Sequence, residues 1–202
     1  NSFALALGWL NEASGAQALT VNSVLEVIPR GGAKVNFPLL FSLVIRPLIK
    51  QCNVHTLVAD RWNSIFLLQE TEREHTDVRS VQITMRPKDF MRFDEDFVNT
   101  ERLILPETEM PFDDIEAVLN WKDELQVKPA SHLYLQFLTV RHFQNTVTKG
   151  DGYTDDVYRT VALLATAVLD KKVQEHNAQY LKKERPGGES RIVAGSRFGS
   201  RR

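Results

Sequence analysis

A mixed α/β sheet flanked by helices is the fold class predicted for this 202-residue chain, and three features predict it. Strand and helix patterns alternate through its middle, two β-prone runs open it, and a long apolar helical stripe lies near its end. A length of 202 residues and a 43% hydrophobic content suit one such domain with a proper core.

The runs Ser2 to Leu10 and Leu19 to Ile28, joined by a polar connection containing Gly15, read as an antiparallel hairpin. After the breaker Pro29-Arg30-Gly31-Gly32, Pro38 sits where a helix starts. Phe37, Leu40, Phe41, Val44, Ile45, Leu48 and Ile49 then recur at helical spacing, with Pro47 expected to kink the helix. The short run Val54 to Ala59 reads as a buried strand that ends on Asp60. A helix from about Asn63 to Glu74 follows, with Ile65, Leu68 and Phe66 inward. Val78 to Met85 alternates as a strand with Val81, Ile83 and Met85 on one face. Next come a helix at about Lys88 to Val98, a short strand at Leu103-Ile104-Leu105 and a helix near Asp113 to Leu125. His132 to Val140 reads as a strand or hairpin arm with Gln144 to Thr148 as its return. The last long helix is expected from Thr154 to about Asn177, with Val157, Val161, Leu164, Ala165 and Val168 as its apolar stripe. Residues 1–180 form one domain in this reading, and 181–202 a basic tail without order.

The net charge of −1 hides an asymmetry. Lys182 to Arg202 holds seven Lys or Arg against two Glu, a net of +5, which leaves about −6 for the rest. No strongly basic body announces nucleic acid, and the tail reads as solubilising rather than DNA-binding. The lone Cys52 forms no internal disulfide, which points to a reducing, cytosolic setting. No apolar run of about 18 residues argues for a membrane span, and no secretory signal pattern opens the sequence. The chain begins without Met, already inside a strand pattern, and reads as a piece of something longer.

The chemistry centres on carboxylates. Asp60 stands at a strand end, the rim where ligands and metals collect in open α/β sheets. Its ordinary alternative is a cap on the following helix through the Trp62 and Asn63 amides. Asp155 and Asp156 follow the turn Gly150-Asp151-Gly152 at a helix start, where the dipole and an N-cap at Thr154 give them an ordinary explanation too. Acids brought together from separate elements repel one another unless cations sit among them. Mg²⁺ or Mn²⁺ suits such oxygen-rich sites, and two ions about 4 Å apart activate water and stabilise a leaving oxygen. Asp94-Glu95-Asp96 and Asp113-Asp114 read as solvated faces, the five histidines lack paired ligand spacing, and Trp62 reads as packing. No phosphate-binding Gly-Lys-Ser/Thr loop or dinucleotide glycine fingerprint occurs, which argues against an ATPase within these residues.

Three stretches together resemble the nuclease domain of the large terminase subunit of tailed bacteriophages, a ribonuclease H-like fold. Asn1-Ser2-Phe3-Ala4-Leu5 resembles the strand after the family's first catalytic aspartate. Val58-Ala59-Asp60-Arg61-Trp62-Asn63-Ser64 resembles its Asp-Arg-Trp-Gln-Ser motif, and Gly152-Tyr153-Thr154-Asp155-Asp156-Val157-Tyr158-Arg159 its closing acidic motif. The resemblance spans about Asn1 to Asp170. It implies an Mg²⁺- or Mn²⁺-dependent endonuclease with two ions that cuts concatemeric double-stranded DNA. Asp60 would be the second metal-binding acid and Asp156, or its neighbour Asp155, the third. The implied partners are an upstream ATPase domain, a portal protein and a small terminase subunit, with no membrane; the implied location is the host cytoplasm, at the procapsid. The family's first acid lies on a central strand that would precede Asn1, so the ribonuclease H-like sheet is expected to lack that strand and the metal site its first ligand. A resolvase- or transposase-type nuclease, and a non-catalytic module that binds DNA or a portal ring, are the alternatives.

Overall fold

The computed structural model describes residues 3–13, 16–29, 34–60, 64–106, 125–129, 137, 141–143, 146–148, 156–184 and 191–196. Strands β1 (Phe3–Ala13) and β2 (Ala16–Pro29) form the expected antiparallel hairpin. Strand β3 (Val54–Asp60) pairs in parallel with β4 (Arg79–Ile83), which is shorter than the run from Val78 to Met85. The order across the sheet is β4-β3-β9-β1-β2-β5, where β5 is Leu103–Ile104 and β9 is Arg191–Ser196. Strand β6 (Leu125–Pro129) shares the outer edge of β2 with β5, lying against its far end. A separate ribbon joins β7 (Arg141–Phe143) to β8 (Thr146–Thr148), so the return arm is where the sequence puts it while its partner begins later. The expected helix near Asp113 and the arm from His132 lie outside the described residues, Leu125 and Phe137 apart.

The central strand β9 is the main departure from the sequence reading, which leaves 181–202 without order. It pairs antiparallel with β1 and parallel with β3, and Ile192, Val193 and Ala194 are buried. A strand covered on both faces needs only a brief apolar run, too short to carry a period through a basic, glycine-containing stretch.

Residues 37–51 form helix α1, with Asn36 as N-cap accepting the Leu39 N–H and Pro38 in the first turn. The backbone widens at Phe41–Ile45, where the Arg46 N–H reaches back five residues to the Phe41 carbonyl. That wide turn stands immediately before Pro47, which has no N–H to continue the regular ladder, and it is the local form the expected kink takes. Helix α2 (Ile65–Glu74) turns Leu67 and Leu68 inward and leaves Ile65 56% exposed, contrary to the sequence reading of Ile65. Helix α1 and α2 pack on one face against Leu5, Leu7, Leu25, Leu57, Ala59 and Val193.

The other face carries α3 (residues 87–98), α4 (Asp156–Leu169) and α5 (Lys171–Glu184). The single long helix expected to about Asn177 is therefore two, because Asp170 interrupts it. The Asp170 carboxylate accepts the Lys172 and Val173 N–H groups, capping a new helix. Every residue of the expected α4 stripe is buried, together with Tyr158, Thr160, Ala162, Leu163 and Ala167, so α4 is covered almost all round. Beneath it the sheet offers Ala4, Ala6, Val58, Ile192 and Ala194.

Two glycines fix close approaches. At Gly8 the β1–β2 ladder slips by one residue, and a Cβ would run into the Thr20 carbonyl and the Leu164 side chain. At Gly195 a Cβ would meet only the ends of the Phe3 and Leu5 side chains, at 2.9 and 3.0 Å. Gly8→Ala should therefore cost about 2–3 kcal/mol and Gly195→Ala about 1 kcal/mol in urea melts. Equal costs would mean that the backbone at Gly8 yields as easily as two side-chain ends. A chain ending at residue 190, lacking β9, should lose cooperative unfolding; a sharp transition in that variant would show that β9 is dispensable.

Burial, and then the positive Arg79, hold the His176 imidazole below its ordinary value of 6.5, against a hydrogen bond with the His55 backbone that favours the charged form. Buried His55, whose Nε2 lies 3.4 Å from Asn53 Nδ2, completes that surrounding. The folded protein binds fewer protons here than the unfolded chain, so this contribution is complete above the ordinary histidine value and lost as pH falls through it. His176→Gln should flatten the decline of the urea midpoint between about pH 7 and about pH 5. An unchanged slope would assign that decline to other groups.

Candidate metal centre

Strand β3 is buried along its whole length and ends on Asp60, whose residue is 2% exposed. The alternation of the strand decides where Asp60 lies. Leu57 and Ala59 pack on the α1–α2 face, and Val58 on the α4 face. Asp60 shares the parity of Val58 and belongs to the α4 face. Its register partner on β4 is Ile83, which also packs on that side. On the opposite flank Ala59 pairs with Gly195, so Asp60 lies one step further, beside the end of β9.

Asp156 reaches the same edge from the helix. Just beyond the far end of α4, the Lys172 carbonyl in the first turn of α5 accepts from Arg79, which opens β4. Midway, Leu164 lies against Gly8, the register partner of Ile192 near the start of β9. Going back eight residues along α4 covers about 12 Å at the helical rise, and four residues along β9 cover about 13 Å. The helix thus runs antiparallel to β3 and β9, and Asp156, its first residue, stands over their C-terminal ends. Asp156 is 5% exposed. Asp60 and Asp156 therefore share one edge and one face of the sheet. Asp155, Arg61, Trp62 and Asn63 lie outside the described residues.

Helix α2 starts at Ile65 with Ser64 before it, and the Ser64 hydroxyl donates to the Asp60 carbonyl. The Asp60 backbone is thereby tied to the turn that follows it. The first turn of α4 is held from the other side by α3. The Tyr158 hydroxyl donates to Asp94 Oδ1 at 2.8 Å, and its ring lies among Phe90, Phe93 and Phe137. Burial, reinforced by the Asp94 carboxylate, holds the Tyr158 phenol well above its ordinary pKa, so it remains a proton donor. Asp94 therefore departs from the solvated face expected of it, whereas Asp96 keeps that face in an exposed pair with Arg92 at 3.0 Å. A triplet of acids gives no sequence signal that one of them faces a tyrosine 64 residues away.

Carboxylate oxygens are the donors Mg²⁺ and Mn²⁺ prefer, and such an ion is commonly held by one or two carboxylates with water and phosphate oxygens completing its shell. Two buried carboxylates on one edge fit one ion of this kind. Among the described residues no group of three or more His, Cys, Asp or Glu gathers to hold a metal, and β9 brings no acid to the edge. Among them also no helix is long and apolar enough to cross a membrane. The chain is α/β with a mixed sheet flanked by helices, and no protein-family model, curated protein or solved structure matches it.

Proposed function

We propose that this chain is a ribonuclease H-like, metal-dependent endonuclease domain of a viral DNA-packaging terminase, acting on double-stranded DNA in the host cytoplasm at the procapsid. The observation that carries this reading is the arrival of two buried carboxylates, Asp60 and Asp156, from separate elements at one edge and face of the sheet. Their motifs are two of the three that resemble the terminase nuclease. The resemblance expects the sheet to lack its acid-bearing central strand; in the fold β9, from the other end of the sequence and without an acid, occupies the centre.

In this reading Asp60 and Asp156 hold a divalent ion, with Asp155 the neighbouring candidate. The chemistry supplied there by a bound ion is activation of water and neutralisation of charge on the phosphodiester. Ser64 fixes the Asp60 backbone, while the sheet and α3 fix the turn carrying Asp156. An upstream ATPase, a portal protein and a small subunit belong to the same proposal. A non-catalytic DNA- or portal-binding module is favoured by one observation: β9 carries no acid between Arg191 and Ser196.

Mn²⁺ should raise the thermal midpoint by about 5 °C at concentrations well above its dissociation constant. Asp60→Asn should abolish the shift, and Asp155→Asn against Asp156→Asn should identify the other ligand. A midpoint indifferent to Mn²⁺ in the unmodified chain would remove the metal-centre reading.

A further inference from the structure

We propose that Tyr158 and Asp94 form a positioning latch for the Asp156 carboxylate, an inference that rests on the metal-centre reading above. Asp156 is the first residue of α4, and the opening turn of a helix has N–H groups without partners inside the helix, which makes it the turn most prone to fray. Something outside the helix has to hold it. Among the contacts on this turn are three from α3: the Tyr158 hydroxyl on Asp94 Oδ1 at 2.8 Å, the Tyr158 ring edge-on to Phe93 at 5.5 Å, and Arg159 over the Phe90 ring at 5.4 Å.

Residues two apart on a helix project about 200° apart. Tyr158 therefore grips the turn from the α3 side while Asp156 projects away from it, and the tyrosine does not compete for the ligand. Asp94 itself lies in the wide turn of α3, where the Asn99 N–H reaches back to the Asp94 carbonyl at 2.7 Å. The latch is thus anchored at both ends in main chain. Groups that orient a metal ligand from outside commonly change metal affinity by about tenfold or more when removed.

The test is Mn²⁺ binding to the 202-residue chain, followed by the electron paramagnetic resonance signal of free Mn²⁺, beside thermal melts. Tyr158→Phe and Asp94→Ala should each weaken Mn²⁺ binding about tenfold while the midpoint stays within about 5 °C of the parent. Asp94→Asn, which keeps an acceptor oxygen, should bind Mn²⁺ as the parent does. Combining Tyr158→Phe with Asp94→Ala should weaken binding no further than either alone. Thr71→Ala supplies the comparison, since it removes a buried α2 hydroxyl bonded to the Leu67 carbonyl at 2.8 Å. It should lower the midpoint without touching Mn²⁺ affinity. If the parent binds Mn²⁺ and Tyr158→Phe binds it equally well, or Asp94→Asn is as weak as Asp94→Ala, the latch is overturned and the metal centre stands. If the parent does not bind Mn²⁺, both fall together.

Discussion

The pairing of β9 between β1 and β3 is the constraint on which the rest of the structure depends. Among the described residues β1 and β3 share no ladder; each pairs with β9 instead. Remove that strand and two edges of backbone N–H and C=O groups open in the middle of the sheet, where a lost partner costs most. The strand also carries side chains into both cores, Val193 toward α1 and α2, Ile192 and Ala194 toward α4. One six-residue segment thereby joins the hairpin half of the molecule to the parallel half that carries Asp60.

Side-chain size sets how closely α4 lies on this sheet. The strands present Ala4, Ala6, Gly8 and Ala194 beneath it, and the helix answers with Ala162, Ala165 and Ala167. Small residues on both surfaces let backbone approach backbone, and dense packing then leaves the helix little freedom to slide. The height and register of α4 fix where its first residue stands. Asp156 is placed by alanines further along the helix and by Gly8 on β1 as much as by its own neighbours.

The legible parts of the sequence were those with a long period or an abrupt ending. The hairpin, the wholly buried run ending on Asp60 and the α4 stripe are of this kind. Three features lacked such a signal. The run Ile192-Val193-Ala194 is too short to show alternation, and its pairing partners lie about 185 residues away in sequence at β1 and about 135 at β3. The break at Asp170 was hidden because Lys171 onward keeps a helical pattern, and only the capping geometry separates the helices. Ile65 reads as inward from hydrophobicity alone, yet Leu67 and Leu68 take the inner side of α2 and rotate it outward.

Magnitudes bear on the ordinary readings of the two acids. A carboxylate in the first turn of a helix gains about 0.3–1 kcal/mol from the dipole when exposed. Desolvating an ionised carboxylate costs several kcal/mol. Asp156 is 5% exposed, so the dipole alone does not offset its burial. Asp60 is 2% exposed and stands four residues before Ser64, which occupies the capping position of α2; the Trp62 and Asn63 amides of its ordinary reading lie outside the described residues. Each buried acid thus carries a cost that the helix dipole alone does not return, and in the metal-centre proposal a divalent cation at their shared edge is one source of the offset.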